Sequence, residues 1–240
     1  MLPFRMPARV LLSLACVFVT SLGENGLFAS EATVVAEHIG NNDPSHGDTT
    51  QWERVANGKA ASEEPVGGPL PAWRVTDSGN AVLFYRYLPT EEQKEMAEDR
   101  GWKLSVKCRL NAPASEKPTS SVVAGYTDLK RNRRFYLAIN SNSSGEPVII
   151  FDNRGDSSKT GLCTVAGLKA SDFHLYELVY DPASRSAALF VDGARQATDI
   201  PSSTMNSKSV SCISWGSADT AGTGAGDYNL VRFEIPSSPQ

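Results

Sequence analysis

An antiparallel β-sandwich of the jelly-roll type, all-β apart from one short helix, is the fold class this sequence predicts. Three observations carry that reading. Apolar residues recur with a period of two over most of the chain, turn signals separate the runs, and one segment has helical caps. In "GWKLSVKCRL" Trp102, Leu104, Val106, Cys108 and Leu110 alternate with Lys103, Ser105, Lys107 and Arg109. Successive side chains of a strand point to opposite faces, so this strand has one buried face and one wet face. Residues 81–88, 134–140, 147–152, 175–181, 187–193, 209–216 and 229–235 read as further strands. Asp181-Pro182 and Asp192-Gly193 punctuate hairpins, and "NSNSSGE" closes another. The helix is "PTEEQKEMAEDRG". Thr90 stands as its N-cap, Gln93 at its third position, acids in its first turn and Gly101 just past its end.

The chain has 240 residues, 40% hydrophobic and 21% charged, which suits one sizeable core. Arg5 and Arg9 precede an apolar run from Val10 to Leu22. That is the layout of a secretory signal peptide over 1–23, with a second cleavage site at 32, and the run is short for a membrane span. A secreted, periplasmic or cell-surface protein with no membrane span after processing is expected. Residues 24–45 are small and polar and read as a flexible leader, 46–236 as one domain and 237–240 as a tail. Removing 1–23 takes two arginines and no acid, leaving 21 basic against 27 acidic side chains. Such a balance argues against nucleic acid as a partner.

Cys108, Cys163 and Cys212 remain after cleavage, an odd number. Cys108 and Cys212 lie in strand-like segments and suit either a disulfide or two buried thiols; Cys163 reads as a loop residue. There is no CxxC spacing, the three histidines His38, His46 and His174 are scattered, and no metal or cofactor is expected. Calcium is the one ion with candidate ligands, Asp219 and Asp227 in "SADTAGTGAGD", although the spacing is not that of an EF-hand. A retaining glycosidase needs two carboxylates about 5 Å apart, and the E-x-D-x-x-E pattern that would supply them from one strand is absent. There is no G-x-S-x-G, P-loop or G-x-G-x-x-G either.

The stretch "KRNRRFYLAIN" (130–140) puts four bases at the mouth of a strand in an acidic protein. If Phe135, Leu137 and Ile139 face the core, then Arg134, Tyr136, Ala138 and Asn140 share the opposite face. A forked cation, an aromatic ring and an amide suit a sugar acid, whose carboxylate can pair with the guanidinium through two bonds. Arg133 points inward or into the turn and is a secondary candidate. The competing reading is a solvated turn, with Tyr136 merely covering a sheet. Trp73, Trp102 and Trp215 are the other potential sugar platforms, but alternation buries Trp102 and Trp215.

Several phrases in order, "GDTT…LPAWRV" (47–75), "GWKLSVKCRL" (101–110), "SSGEPVIIFD" (143–152), "FHLYELVYDP" (173–182), "ALFVDG" (188–193) and "CISWGSADTAGTGAGDYNLVRFEI" (212–235), make the chain similar to a known family. They resemble the N-terminal lectin domain of the Vibrio cholerae-type sialidase, the sialidase lectin-insertion family, over about 45–236. The resemblance implies a concanavalin A-like lectin sandwich that binds sialic acid and carries no catalytic residues. It implies that the arginine nine residues before Ser143, Arg134, holds the sugar's carboxylate. The S-x-D-x-G-x-x-W box of the catalytic propeller is missing. The expectation is therefore a non-catalytic carbohydrate-binding module with a glycan partner, the ligand a terminal acidic sugar such as sialic acid. An adhesive sandwich that binds protein, and a diverged glycoside hydrolase, are the alternatives.

Overall fold

The computed structural model describes residues 31–47, 49–58, 61–79, 82–112, 122–151, 161–204, 210–217 and 223–238. The expected signal peptide at 1–23 and Asp219 lie outside the described residues. Two antiparallel sheets stack face to face, a jelly-roll sandwich of the concanavalin A-like type. Sheet A has the strand order β13 (Ala194–Ile200), β12 (Ser186–Val191), β11 (His174–Asp181), β6 (Trp102–Ala112), β15 (Gly224–Pro236), β4 (Ala72–Asp77) and β3 (Ala61–Val66). The long strand β15 pairs with β4 through its first half and with β1 (Ala32–Ile39) through its second. Sheet B runs β10 (Gly161–Thr164), β9 (Pro147–Phe151), β8 (Arg133–Ser141), β7 (Val123–Asp128), β14 (Cys212–Ser217), β5 (Val82–Tyr87) and β2 (Glu53–Asn57). Among the described residues no helix is long and apolar enough to cross a membrane.

Aromatic rings fill the space between the sheets, and all four tryptophans are buried. Around Trp102 gather Tyr126, Phe135, Tyr180 and Phe233, with ring centroids 5.4–5.5 Å away. Around Trp215 gather His38, Trp52, Tyr85 and Tyr228. None of the tryptophans is therefore on the surface as a sugar platform.

The helix α1 (Glu91–Arg100) has the expected ends. The Thr90 hydroxyl accepts from the Gln93 amide, and the Gln93 side chain accepts from the Thr90 amide. This reciprocal pair satisfies two donors the first turn would otherwise leave open. Gly101 ends the helix at φ +82, and a Cβ there would stand 2.6 Å from the Tyr180 carbonyl oxygen. Only glycine fits that turn without moving backbone.

The structure corrects two expectations and decides between the alternatives left open for a third. First, residues 32–39, placed in a flexible leader, form β1. Val35, Ala36 and His38 are buried there, and the Trp52 indole donates to the Glu37 carbonyl. Second, of the two alternatives for Cys108 and Cys212 the structure has the buried thiols, with no bond between them. Cys108 faces the core from sheet A, whereas Cys212 neighbours the core-facing Ile213 on β14 and so points to the outside of sheet B. Third, Cys163 is in an edge strand, not a loop, and packs half-buried against the core margin. The Cys163→Ser change is expected to alter stability by about 1 kcal/mol or less, as at positions away from the packed core. Urea unfolding of the two proteins checks it; a loss of several kcal/mol would make the thiol a true core group.

Candidate functional site

The basic run occupies the turn from β7 into β8, and α1 packs beside it. Lys130 and Arg131 each reach Glu95 at 2.5 Å, and Arg131 also pairs with Asp128 at 2.8 Å. Arg133 binds Glu98 at 2.9 Å and donates to the Tyr180 hydroxyl at 2.9 Å. Lys130 and Arg131 hold the Glu95 carboxyl below its ordinary range through these hydrogen bonds. Three of the four bases thus tie the helix to the sandwich. Arg133, the secondary candidate, belongs to this network at the end of the sandwich and not to the outer face.

Arg134 points the other way. Phe135, Leu137 and Ile139 are buried between the sheets, so Arg134 and Tyr136 stand on the outer face of sheet B. The Arg134 guanidinium lies over the Tyr136 ring, 4.1 Å from its centroid. Its main chain is fixed as well, since its amide donates to the Ser203 carbonyl at 3.0 Å and its carbonyl accepts from the Ser203 amide at 2.8 Å. The ring in turn leans over Gly125 of β7. A Cβ at Gly125 would come 3.0 Å from Tyr136 Cδ2 and 2.7 Å from the Phe135 carbonyl oxygen. Glycine is what lets the ring lie down. A cation held by a ring and by main-chain bonds loses less freedom when an anion pairs with it.

Asn140 has the expected parity but not the expected access. It is 6% exposed, and its Oδ1 has no hydrogen-bond partner among the described residues. Six residues along a strand are also about 20 Å, too far for one sugar to touch both Arg134 and Asn140. Around it the outer face is covered: Val123, Ala138 and Ile150 form a small buried cluster against Tyr136. The structure therefore brings Arg134 and Tyr136 together and leaves Asn140 and Arg133 apart from them.

The open part of this face runs across the strands. In register, Tyr136 is opposite Gly125, Gly125 opposite Ser214, Ser214 opposite Arg86, and Arg86 opposite Glu53. Arg86 donates to Glu53 through Nε at 2.8 Å and Nη2 at 2.6 Å. Below them is Cys212. Burial raises its thiol above the ordinary value, while the Arg86 charge, a Ser214 hydrogen bond and the Arg134 charge pull it down. Both guanidiniums thus bear on the Cys212 thiol. The sequence did hold a signal for Arg86. It sits between Tyr85 and Tyr87 in an alternating strand, so its outward parity was readable, but which strands pair beside it was not.

The outer face of sheet A is different, because its charges close on themselves. Asp227, fully buried, accepts from Arg74 Nε at 2.6 Å, Arg74 Nη2 at 3.0 Å and Arg109 Nε at 2.9 Å. Its carboxylate, considered above for calcium, is occupied by two guanidiniums. Lys103 stands between Glu234 at 3.1 Å and Glu177 at 3.6 Å. Among the described residues no group of three or more His, Cys, Asp or Glu is placed to hold a metal ion.

No protein-family model matches the chain. It is similar to the sialidases of two Vibrio cholerae serotype O1 strains, 25% identical over 166 residues. The matched stretch is 69% of this chain but 19% of the sialidase, which is consistent with a sialidase-related lectin domain. Among solved structures, a carbohydrate esterase from the Shiga toxin-encoding bacteriophage phi24B superposes with a TM-score of 0.63 at 12% identity, covering 86% of this chain and all of that one. The binding domain of botulinum neurotoxin serotype D/C gives 0.51 at 11% identity, over 86% of this chain and 49% of that one. At such identities the likeness is one of fold.

Proposed function

We propose that this chain is a non-catalytic carbohydrate-binding module whose ligand is a glycan ending in an acidic sugar of the sialic acid class. The observation that carries this reading is the Arg134 guanidinium stacked on the Tyr136 ring, 4.1 Å from its centroid, on the outer face of sheet B. A carboxylate pairs with the fork of the guanidinium, and the ring offers the sugar an apolar flat surface. The similarity to a stretch of Vibrio cholerae sialidase supports the same ligand class. A binding role, not a hydrolytic one, is supported by the carboxylates. Among the described residues the strands of sheet B put one acid, Glu53, on this face, and both its oxygens accept from Arg86. Glycoside hydrolysis needs two acids facing one bond.

Arg134→Ala is expected to weaken binding of a sialylated glycan about ten- to a hundredfold, the loss of a hydrogen bond to a charged group. Arg134→Lys restores part of it at most, because a point charge does not reproduce the fork. Lys130→Ala, which removes an exposed base of the same turn that pairs with Glu95, serves as the control and leaves binding unchanged. Titration calorimetry with a sialoside, alongside melting curves for folding, makes the test. Wild-type affinity in the alanine variant would end the proposal.

A further inference from the structure

The same face carries a second set of polar groups, at Arg86 and Glu53, beyond reach of a sugar held at Arg134. We propose that these form a second subsite, so that the module binds an extended acidic oligosaccharide across the strands of sheet B and not its terminal sugar alone. This inference rests on the reading of Arg134 as the anchor of the acidic sugar.

Burial decides the direction of the ligand. Along β8 the face is closed beyond Tyr136, where Ala138 and Asn140 are buried and Val123 and Ile150 flank them. On the β9 side of Arg134 the main chain of Ser203 is bonded to it. Across the strands the face stays open. Tyr136, Ser214, Phe84 and Arg86 are all half-buried, and glycine at 125 keeps the path between them low. Tyr136 and Arg86 are three strand spacings apart, roughly 14 Å, a span that a di- or trisaccharide bridges.

The chemistry of the two ends differs. Arg86 uses two of its N–H groups on Glu53, whose side chain is half exposed, and each oxygen of Glu53 keeps a lone pair. The pair carries no net charge and presents donors beside acceptors. Sugar hydroxyls both donate and accept, so the pair suits neighbouring hydroxyls of an uncharged sugar unit. Phe84, on the same face of β5, gives that unit an apolar flank.

Calorimetry with two probes, the methyl glycoside of N-acetylneuraminic acid and sialyllactose, tests the inference on the full chain. Wild type is expected to bind the trisaccharide about tenfold more tightly than the monosaccharide, as one or two added hydrogen bonds would give. Arg86→Ala removes that gain and leaves monosaccharide affinity unchanged, whereas Arg134→Ala weakens both. Glu53→Gln, which keeps the shape and an acceptor, covers the case in which Arg86→Ala disturbs the strand, and loses part of the gain. Equal affinity for the two probes in wild type overturns the second subsite and leaves the reading of Arg134 standing. So does an Arg86→Ala protein that keeps its full preference. If neither probe binds wild type, the reading of Arg134 falls and the subsite with it.

Discussion

Trp215→Ala is expected to destabilise the protein by about 3–5 kcal/mol, the range for truncating a large core aromatic. Trp215 is fully buried, and four rings pack on it. Tyr85 and His38 stack at 4.7 Å, Tyr228 lies at 4.9 Å and Trp52 at 5.9 Å. These rings come from β1, β5, β15 and the segment before β2, so a hole at 215 loosens contacts between both sheets at once. Rigid stacked neighbours collapse poorly into a cavity, which puts the loss toward the upper end. In a chain of this size it corresponds to a fall in melting temperature of roughly 10–15 °C. Trp215→Phe keeps most of the packing and loses less. Differential scanning calorimetry of the three proteins reads the result. A shift of only a degree or two in the alanine variant would mean that this cluster does not join the sheets.

The second large effect is a loss of stability in mild acid, centred on His38. Burial lowers its pKa from 6.5 to about 4, against the backbone hydrogen-bond acceptors at Tyr228 and Gly40 and the charge of Asp43, which favour the protonated ring. The folded chain therefore keeps His38 neutral at pH values where the unfolded chain protonates it. Stability contributed by the neutral ring is complete above pH 6.5, declines as pH falls from 6.5 to 4, and is gone below that. At 1.36 kcal/mol per unit, the gap amounts to about 3 kcal/mol. Glu53 and Glu95, held low by their arginine and lysine partners, act in the same direction but at lower pH. The window from 6.5 to 5 thus reports on His38. Melting temperatures measured across it are expected to fall in wild type and to stay nearly level in His38→Phe, which keeps a ring against Trp215. Parallel slopes in the two proteins would refute the assignment.

What the sequence made legible follows from which forces are local. The β6 alternation and the α1 caps depend on neighbours a few positions away, and both appear where the pattern puts them. Strand β1 was missed because "ATVVAEHI" becomes a strand only through β15, about two hundred residues on. The edge strands β3, β10 and β13 were missed because an edge is wet on one side. Their residues, such as Glu63, Glu64, Pro65 and Arg195, carry little apolar pattern. At the candidate site, parity alone separated Arg134 from Arg133. The acids that hold Lys130, Arg131 and Arg133 lie about 35 residues earlier on α1, and nothing local announces that pairing. Asn140 shows the limit of parity. It names the face a side chain leaves by, not whether that stretch of the face is covered.

The pairing of β1 with β15 also settles how the sandwich answers to being pulled. Ala32 is opposite Pro236, and the Ser237 amide donates to the Glu31 carbonyl at 2.8 Å, so the two ends of the described sandwich leave it side by side. A load applied through both ends meets the rungs of that ladder one after another, not all together. Tension peels β1 away like a zipper. As it goes, Val35, Ala36 and His38 are drawn from the core beneath Trp215, while the rungs of sheet B under Arg134 and Tyr136 carry none of the first strain. A sandwich tethered by its ends would give way at this seam before the strands of sheet B part.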